Sequence, residues 1–251
     1  MAQYVERFSS RVDNYVRYRP GYPNKIVELL TNECGLTPDS LIADIGSGTG
    51  KLSEIFLENG NVILGIEPNE GMRKAAETIL GKNPNFRSID ATAEATTLPS
   101  ASVDLITAGQ AFHWFDLEKT KPEWVRILKP GSWAVIIWNE RRLDTTPFLR
   151  DYEALLLKYG TDYQTIRHEN AVGGLYDFFA PQLPKLKSFD NVQLFDFEGL
   201  KGRVLSSSYT PEPSHPDFLP MLDELKAVFD RHQRDGQVSF DYDTRVFCSQ
   251  L

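Results

Sequence analysis

The stretch Leu41-Ile42-Ala43-Asp44-Ile45-Gly46-Ser47-Gly48-Thr49-Gly50 decides the fold of this chain. An apolar run ends at an acid and breaks into three alternating glycines, after which Lys51–Glu58 places apolar residues at helical spacing. We therefore predict a strand, a tight turn and a helix. Glycines let the backbone bend sharply and come close to a ligand that a Cβ would exclude. The first turn of the helix adds unpaired N–H groups for an electron-rich ligand.

The spacing of the glycines narrows the choice of ligand. A dinucleotide-binding turn needs the pattern G-x-G-x-x-G, and counting from the first two glycines puts Lys51 in the third position, so the pattern fails. Asp44, at the end of the predicted strand, suits an ammonium group better than a pyrophosphate. Glu67 follows a second predicted strand, Val62–Ile66, about 20 residues on, where an acid accepts the hydroxyls of a ribose. A ribose joined to a cationic amino-acid tail describes S-adenosylmethionine.

Four segments together resemble a known enzyme family. They are Asp44–Gly50, Glu67, Gln110-Ala111-Phe112-His113-Trp114-Phe115 and Leu128-Lys129-Pro130-Gly131. In combination they resemble the class I S-adenosylmethionine-dependent methyltransferases, and more narrowly the small-molecule group that includes trans-aconitate methyltransferase-like proteins. The resemblance covers residues 8–140 well and the C-terminal third more loosely.

The resemblance implies an α/β fold, with a Rossmann-like, seven-stranded, mostly parallel sheet, helices on both faces and one antiparallel strand near the C-terminus. It also implies a single methyltransferase domain over residues 1–251. In this domain residues 1–22 form a lid, residues 23–139 the cofactor-binding core, and residues 140–251 the remaining strands with an inserted substrate cap. The lid prediction rests on Tyr15, Tyr18, Arg19 and Pro20, which match a Tyr-x-x-Tyr-Arg-Pro pattern of this group. A static cover over the core is the alternative.

The order of apolar runs predicts the same sheet without the resemblance. Predicted strands alternate with predicted helices from Leu41 to Trp138, which is typical of a parallel sheet covered on both faces. Pro122 interrupts the helix expected after Asp116, so we predict that this helix begins or bends at Pro122. In the C-terminal third we predict helices at Phe148–Tyr159 and Leu219–Arg231, and strands at Val192–Phe197 and Val238–Asp243.

Composition limits the kind of partner. The 251 residues carry a net charge of −8, which disfavours a nucleic-acid surface because such a surface needs a basic face. The two cysteines, Cys34 and Cys248, lie far apart in the sequence and lack metal-ligand spacing, so we expect neither a disulfide scaffold nor a metal site. No segment resembles a signal peptide or a membrane span. We expect a cytoplasmic monomer or homodimer that acts on a small molecule and binds neither nucleic acid nor membrane.

Most of the predicted site binds the cofactor. The predicted cofactor-binding residues are Tyr15, Arg19, Asp44, Gly46, Ser47, Gly48, Gly50, Glu67, Pro68, Asp90, Ala93, Glu94 and Gln110. By the resemblance, Asp44 and the glycine turn hold the methionine part and Glu67 holds the ribose. The adenine is contacted near Ala93 and by an acid, either Asp90 or Glu94, of which we favour Glu94.

Three residues after the fourth predicted strand are the catalytic candidates. Gln110, His113 and Trp114 fall at the carboxyl edge where open α/β sheets bind ligands. An aromatic face attracts a cation such as a sulfonium, and a histidine can accept a proton near neutral pH. His113 has two other interpretations, as a residue that lines the pocket or as a packed core residue. Methyl transfer is an in-line displacement in which positioning contributes up to about 7–11 kcal/mol, so no triad or metal cluster is required.

The sequence says less about the methyl acceptor than about the cofactor. We predict a small molecule that is methylated on an oxygen or nitrogen atom, and a carboxylate is one candidate for the acceptor. Guanidinium groups match carboxylates bidentately, which makes Arg19, Arg141, Arg142 and Arg203 candidates for binding one. The segment 203–209 resembles a family element near the acceptor pocket, so Arg203 and Tyr209 are the predicted substrate-binding residues.

Three other kinds of protein compete with this interpretation. A nicotinamide-dependent oxidoreductase is disfavoured by Lys51 at the third glycine position. A nucleic-acid methyltransferase is disfavoured by the acidic balance and by Gly109-Gln110-Ala111-Phe112, which lacks the Asn/Asp-Pro-Pro-aromatic run of amino-methylating DNA enzymes. A non-catalytic protein that binds S-adenosylmethionine would keep the cofactor residues but lack a closed acceptor pocket.

Overall fold

The computed structural model describes residues 12–163 and 172–251, which build a seven-stranded sheet. The strands are β1 Leu41–Ile45, β2 Val62–Ile66, β3 Phe86–Ile89, β4 Val103–Gly109, β5 Leu128–Arg141, β6 Lys185–Phe195 and β7 Val238–Gln250. Their spatial order is β3-β2-β1-β4-β5-β7-β6. The strands β1 to β5 pair in parallel, and β7 runs antiparallel to both of its neighbours. The predicted Rossmann-like, mostly parallel sheet with one antiparallel strand is confirmed.

Helices cover both faces of the sheet. The described helices are α1 Val12–Tyr18, α2 Lys25–Cys34, α3 Lys51–Glu58, α4 Glu70–Leu80, α5 Leu117–Ile127, α6 Pro147–Tyr159, α7 Val172–Phe179, α8 Phe197–Leu205 and α9 Phe218–His232, with a short 3₁₀ turn at Phe112–Trp114. One buried cluster includes Trp124, Trp138 and Phe178, and a second, formed by α2, α3 and other residues, includes Phe56 and Leu30. None of the helices in the described ranges is both long and apolar enough to cross a membrane.

The helix after the fourth strand begins earlier than the sequence predicts. We predicted a start or a bend at Pro122, but α5 begins at Leu117 and contains Pro122 in its interior, so the predicted start is wrong. The Asp116 side chain accepts a hydrogen bond from the backbone N–H of Lys119 and caps the helix. A cap and a buried face that includes Trp124 therefore outweigh the hydrogen bond that proline cannot donate.

The sheet positions the candidate site through the place of β1. This strand lies between β2 and β4, so the connections from β1 and from β4 leave the same carboxyl edge on opposite sides of a crevice. Asp44 pairs with Gly65 of β2 and with Thr107 of β4, which aligns the ends of the three strands. Open α/β sheets bind their ligands at such a point, where the strand order reverses.

The C-terminal third completes the sheet and builds a cap beside the crevice. Its helices α6, α8 and α9 pack on β7 around a third buried cluster, which includes Tyr152, Leu225 and Phe240. The sequence patterns predicted neither α7 nor α8, and they marked segment 203–209, which includes the end of α8, only as a family element. Both helices are short, and the two glycines of α8 weaken its sequence signal.

The N-terminal segment docks on this cap. Helix α1 packs on α8, where Gly202 is so close to the ring of Tyr18 that an added Cβ would lie 2.0 Å from it. The carbonyl of Gly21 accepts hydrogen bonds from the side chains of Asn139 and Asn191. The described part of the predicted lid is therefore attached to the cap, while residues 1–11 lie outside the described residues.

Candidate active site

The glycine turn joins β1 to α3 in the predicted order. Gly46, Gly48 and Gly50 all have positive φ angles, of 69°, 56° and 85°, which favour glycine. A Cβ at Gly46 would lie 2.4 Å from the Cβ of Ala111, and one at Gly50 would lie 2.3 Å from Leu80 of α4. A Cβ at Gly48 would meet no atom within 4 Å. Gly48 thus faces open space, whereas Gly50 packs against a helix outside the residues that line the cavity, and its cofactor-binding role stays a prediction.

The cavity at this edge has two lobes that adjoin. The acid lobe is lined by Glu67, Pro68, Asn69, Met72, Thr92, Ala93, Glu94, Ala111 and Phe115. The arginine lobe is lined by Arg19, Pro20, Tyr22, Asp44, Ser47, Thr49, Lys51, Leu52, His113, Asn139, Glu140, Arg141, Leu143, Tyr163, Arg203, Ser208, Tyr209 and Tyr242. Tyr15, Gly46, Gly48, Gly109, Gln110 and Trp114 line both lobes. One ligand can therefore extend across the glycine turn from the first lobe into the second.

Glu67 ties the end of β2 to the glycine turn. Its Oε2 accepts a hydrogen bond of 2.9 Å from the N–H of Gly48, and its Oε1 accepts one of 2.8 Å from the N–H of Asn69. Burial raises the pKa of Glu67, although these two bonds and Arg73 act in the opposite direction. The carboxylate therefore shapes the turn as well as lining the cavity, a second role that the sequence did not indicate.

Asp90 and Glu94, the two acids predicted as alternatives for the adenine contact, have different surroundings. Glu94 lines the acid lobe, where its Oε1 accepts a hydrogen bond from the N–H of Asp116, and its Oε2 is buried without a partner among the described residues. Asp90 is 71% exposed and forms an ion pair with Arg73, outside the cavity. Glu94 is therefore the better placed of the two to accept from a ligand amine, and the cofactor-binding roles of both acids stay predictions.

Asp44 is fully buried at the floor of the arginine lobe. Its Oδ2 accepts from the hydroxyl of Ser53 at 2.7 Å, and its Oδ1 accepts from the hydroxyl of Thr107 at 3.0 Å. Burial raises the pKa of Asp44 to about 6, although both hydroxyls lower it. A cationic ligand group beside this carboxylate would favour its charged form.

Two predicted arginines converge on one hydroxyl in the arginine lobe. Arg19 donates from Nη2 to the carbonyl of Ser206 at 3.0 Å and to the Oγ of Ser207 at 3.3 Å. Arg203 donates from Nη1 to the same Oγ at 3.2 Å and from Nε to the hydroxyl of Tyr242 at 3.2 Å. Among the described residues no carboxylate lies within ion-pair distance of Arg19 or Arg203. The lobe therefore holds two guanidinium groups that are not neutralised by an acid.

Of the other two candidate arginines, one lines the arginine lobe and one does not. Arg141 lines the lobe, where it forms an ion pair with Glu153 and donates to the hydroxyl of Tyr163 at 2.9 Å. Arg142, the next residue, forms ion pairs with Asp190 and Asp243 and does not line the cavity. Consecutive residues of a strand point to opposite faces, which explains why only the first of the two reaches the lobe.

The segment after β4 brings the three catalytic candidates to the cavity. Gln110 has a φ of 57°, and its Nε2 donates to the carbonyl of Asn139 at 2.9 Å while its Oε1 is buried without a partner among the described residues. The rings of His113 and Trp114 lie 4.5 Å apart, and both residues line the arginine lobe. The catalytic roles of Gln110, His113 and Trp114 stay predictions.

Several lining residues were missed by sequence reasoning. Asn139 follows the apolar part of β5, and its Oδ1 accepts from Thr244 while its Nδ2 binds Gly21. Tyr242 lies on the buried side of β7, a position that the alternation along Val238–Asp243 could have identified. Tyr163 follows α6 by a few residues, and no local pattern marks it as part of a site.

The chemistry of these groups fits S-adenosylmethionine. The unpartnered oxygen of Glu94 suits an exocyclic amine, and the open space at Gly48 lets a ligand pass close to the backbone. Glu67, at the end of β2, lines the acid lobe, where it can accept hydrogen bonds from the hydroxyls of a ribose. Asp44 lines the adjoining arginine lobe. Among residues 12–163 and 172–251 no group of three or more His, Cys, Asp or Glu side chains could hold a metal ion.

Known proteins resemble this chain, and one of them does so over almost its whole length. Residues 43–136 match the family described as a methyltransferase domain. An uncharacterised methyltransferase of Schizosaccharomyces pombe is 28% identical over 97% of this chain and 96% of its own. An uncharacterised methyltransferase of Mycobacterium tuberculosis is 33% identical over 53% of this chain and 52% of its own.

Solved structures show the same fold. A candidate type II methyltransferase from Anaeromyxobacter dehalogenans superposes with a TM-score of 0.70, at 19% identity over 93% of this chain and 98% of its own. A candidate methyltransferase from an antibiotic biosynthesis pathway of Anabaena variabilis gives a TM-score of 0.62, at 22% identity over 94% of this chain and 99% of its own. The narrower resemblance to trans-aconitate methyltransferase-like proteins stays a prediction.

The sequence match includes the glycine turn and the strands that carry the cavity, and the similarity continues through the cap. These similarities set the nicotinamide alternative aside. The methyltransferase-domain match over residues 43–136, the similar relatives and the shared fold together support a class I S-adenosylmethionine-dependent methyltransferase, an enzyme that takes its methyl group from S-adenosylmethionine.

Proposed function

We propose that this enzyme methylates an oxygen or nitrogen atom of a small molecule that carries a carboxylate. The observation that supports the proposal is the charge of the arginine lobe. Arg203 is buried and Arg19 is half-buried, and neither has a carboxylate partner among the described residues. A buried cation is expensive unless it is paired, so this arrangement favours an anionic ligand.

The two guanidinium groups can serve two different carboxylates. Arg19 belongs to the segment predicted to contact the cofactor, and it lies next to Tyr15, which lines both lobes. Arg203 lies on α8 within the cap and contacts Tyr242. We assign the carboxylate of the methionine part to Arg19 and the carboxylate of the acceptor to Arg203, with Arg141 beside it.

The residues of the chain act mainly by positioning. S-adenosylmethionine, when bound, supplies a sulfonium methyl group that is open to in-line attack. Glu67 and Glu94 would fix the nucleoside in the acid lobe, and Asp44 would fix the ammonium group. The arginine lobe would then hold the acceptor in line, an effect worth up to about 7–11 kcal/mol. Trp114, which lines both lobes, would exclude water where they meet.

A non-catalytic cofactor-binding protein would not need the arginine lobe. Its lining comes from the N-terminal segment, β5, the cap and β7, which enclose a space beyond the cofactor residues. The acidic net charge of −8 disfavours a nucleic-acid acceptor, because its phosphates need a basic surface. A small acceptor suits the size of this enclosed lobe better than a folded macromolecule.

A labelled-methyl assay tests the proposal. Radiolabelled S-adenosylmethionine is incubated with the enzyme and with pairs of small molecules, each a carboxylic acid and its neutral amide. We expect label in one or more of the acids and at least about tenfold less in the matching amides, because an ionic hydrogen bond is worth about 1.5–3 kcal/mol. Equal labelling of acids and amides would show that the arginine lobe does not select an anion.

A further inference from the structure

A hydroxyl group links two guanidinium groups to a tyrosine in the arginine lobe. Ser207 accepts hydrogen bonds from Arg19 at 3.3 Å and from Arg203 at 3.2 Å, and it also hydrogen-bonds the side chain of Tyr209. The cations are therefore joined to the phenol through one atom, which we call the Ser207 node. Tyr209 itself lines the cavity, whereas Ser207 lies behind it.

The groups around Tyr209 come from all sides of the lobe. Arg203 faces it from α8, Arg19 from the N-terminal segment and Arg141 from β5. The ring of Tyr163 lies 4.9 Å from that of Tyr209, and Tyr152 and Tyr242 lie nearby on α6 and β7. Of the acids on these elements, Glu153 is engaged by Arg141 and Tyr163, and Glu140 forms an ion pair with Arg245. The surroundings of the phenol are therefore cationic.

This environment favours the ionised phenol. Burial would raise the pKa of Tyr209, but Arg203, Arg19 and the hydrogen bond from Ser207 outweigh it, and the pKa is lowered. Tyr152 has the opposite balance, since burial raises its pKa above the ordinary value.

We propose that Tyr209 takes the proton from the O–H or N–H group of the acceptor as that atom is methylated. The inference rests on the proposed function, because it requires a small acceptor in the arginine lobe. It assigns to Tyr209 the proton-accepting role for which the sequence offered His113. Arg19, Arg203 and Ser207 are positioning residues that hold the phenolate ready.

The step balances with the groups at hand. A lone pair on the acceptor oxygen or nitrogen forms the new bond to the methyl carbon. The carbon–sulfur bond breaks, and its electron pair stays on sulfur as the sulfonium charge is lost. The acceptor proton passes to the phenolate oxygen of Tyr209, which later releases it to water.

A base beside the acceptor limits the class of product that the enzyme can form. A carboxylate has an ordinary pKa of about 4, so it is already deprotonated and needs no base to attack. A base beside the acceptor is useful for a hydroxyl or an amine. We infer that the carboxylate of the acceptor is bound by the arginines and that a separate hydroxyl or amino group is methylated. The product is then an ether or an N-methyl compound and not a methyl ester.

The stability of the product to alkali tests this conclusion. The labelled-methyl assay is repeated with hydroxycarboxylic acids, amino acids and simple carboxylic acids, and the products are treated with base. We expect the label to stay in a non-volatile product. Release of the label as volatile methanol would show ester formation and overturn the proposal, while the proposed preference for a carboxylate-bearing acceptor would still stand.

A spectrophotometric pH titration tests the phenol without any acceptor. Tyrosinate absorbance is recorded below the ordinary tyrosine pKa of about 10 for the native chain and for Tyr209→Phe. We expect the variant to lose one equivalent of early tyrosinate, and Tyr163→Phe to keep it, because burial raises the pKa of Tyr163 to about 12. Identical curves for the native chain and Tyr209→Phe would overturn the proposal.

Ser207→Ala gives a second test in case the phenylalanine variant folds poorly. Removal of the hydroxyl should move the early ionisation to higher pH while Tyr209 remains in place. Tyr209→Phe should also lower kcat by about a hundredfold to ten-thousandfold, with S-adenosylhomocysteine affinity unchanged by calorimetry. An equal loss of affinity and turnover would make Tyr209 a binding residue only and would contradict the assignment.

Discussion

The acid lobe and the arginine lobe meet at one sheet edge but are assembled in different ways. In the acid lobe, carboxylates accept hydrogen bonds from backbone N–H groups within one continuous run of β-α units. Glu67, for example, accepts one from Gly48, which lies 19 positions away in the sequence. In the arginine lobe, side chains meet from across the chain, as Arg19 meets Ser206 across 187 positions. The first lobe therefore depends on contacts within one run of β-α units, and the second depends on contacts between distant parts of the chain.

The difference indicates how specificity is divided. Backbone groups and a few acids suffice to bind a cofactor that many enzymes share. We propose that the acceptor is recognised by side chains from the N-terminal segment, β5, the cap and β7, of which β5, the cap and β7 line only the arginine lobe. Substitutions should therefore separate cofactor binding from acceptor recognition.

The largest expected effect is at Gly48. A valine there has room in the protein, but it would fill the space that a ligand needs, so we expect no measurable binding of S-adenosylhomocysteine by calorimetry. Gly131→Val is the matched control, because Gly131 also has a positive φ and no atom within 4 Å of an added Cβ, but lies outside the cavity. Both variants should lose about 1–2 kcal/mol of stability. Unimpaired binding by Gly48→Val would make the turn purely structural.

A smaller effect is expected at Glu67. Glu67→Ala removes the predicted ribose contact, and a hydrogen bond to a charged group is worth about 1.5–3 kcal/mol, so affinity for S-adenosylhomocysteine should fall about tenfold to a few hundredfold. The variant should also lose about 1–3 kcal/mol of stability, because the N–H groups of Gly48 and Asn69 lose their acceptor. Glu70→Ala, which removes an exposed ion pair with Lys74, should change neither quantity. A stable variant with native affinity would refute both roles of Glu67.

Asp44 should make cofactor binding depend on pH. Its pKa of about 6 means that the ligand-free carboxyl is protonated at pH 5, and an ammonium group favours the ionised form. Affinity for S-adenosylhomocysteine should therefore fall roughly tenfold between pH 7 and pH 5. In Asp44→Asn this dependence should shrink to the part contributed by Glu67, whose pKa is also raised. A native pH dependence in the variant would exclude Asp44 as its source.

The same carboxyl should affect the stability of the ligand-free protein with a defined sign. The folded-state pKa lies above the unfolded value of about 3.9, so the folded protein binds the proton more tightly. This contribution to stability is complete below about pH 4 and is lost as the pH rises through about 6. Asp44→Asn should remove this component from the free energy of unfolding measured at pH 4 and pH 7.

The effect expected to change cofactor binding least is at the contact between α1 and the cap. Gly202→Ala would place a Cβ against the ring of Tyr18, so it should destabilise the protein by about 1–3 kcal/mol although alanine favours helix. Tyr18→Ala should relieve the clash, and the double variant should then be more stable than the sum of the single effects. Hydrogen exchange should rise in α1 of Gly202→Ala and stay native in Lys201→Ala. Additive effects would show that the two residues do not interact.

The contrast between the lobes also explains how much the sequence could predict. The strands β1 and β2 and the turn at Gly46–Gly50 carry strong local patterns, and the structure has them at the predicted positions. The adenine acid was left open between Asp90 and Glu94, because only the path of the loop shows which one faces the cavity. Asp90 turns instead to Arg73.

Long-range packing set the features that the sequence could not predict. The sequence does not show which of the adjacent residues Arg141 and Arg142 lines the cavity. Only the orientation of β5 shows that Arg141 enters the arginine lobe. Tyr163 and Tyr242 join it through the packing of the cap on β7. Gly50 shares the pattern of the other turn glycines, but the position of Leu80 gives it a packing role.

The most direct test of the division between the lobes is the ratio of methyl transfer to a carboxylic acid over transfer to its amide, in the native enzyme and in Arg203→Gln. We expect the native ratio to be high and the variant ratio to fall about tenfold to a hundredfold, because the variant loses an ionic hydrogen bond to the acceptor. Affinity for S-adenosylhomocysteine should stay native, and Arg142→Gln, outside the cavity, should keep both values. An unchanged ratio in Arg203→Gln, or a parallel loss of cofactor affinity, would contradict the assignment of the arginine lobe to the acceptor.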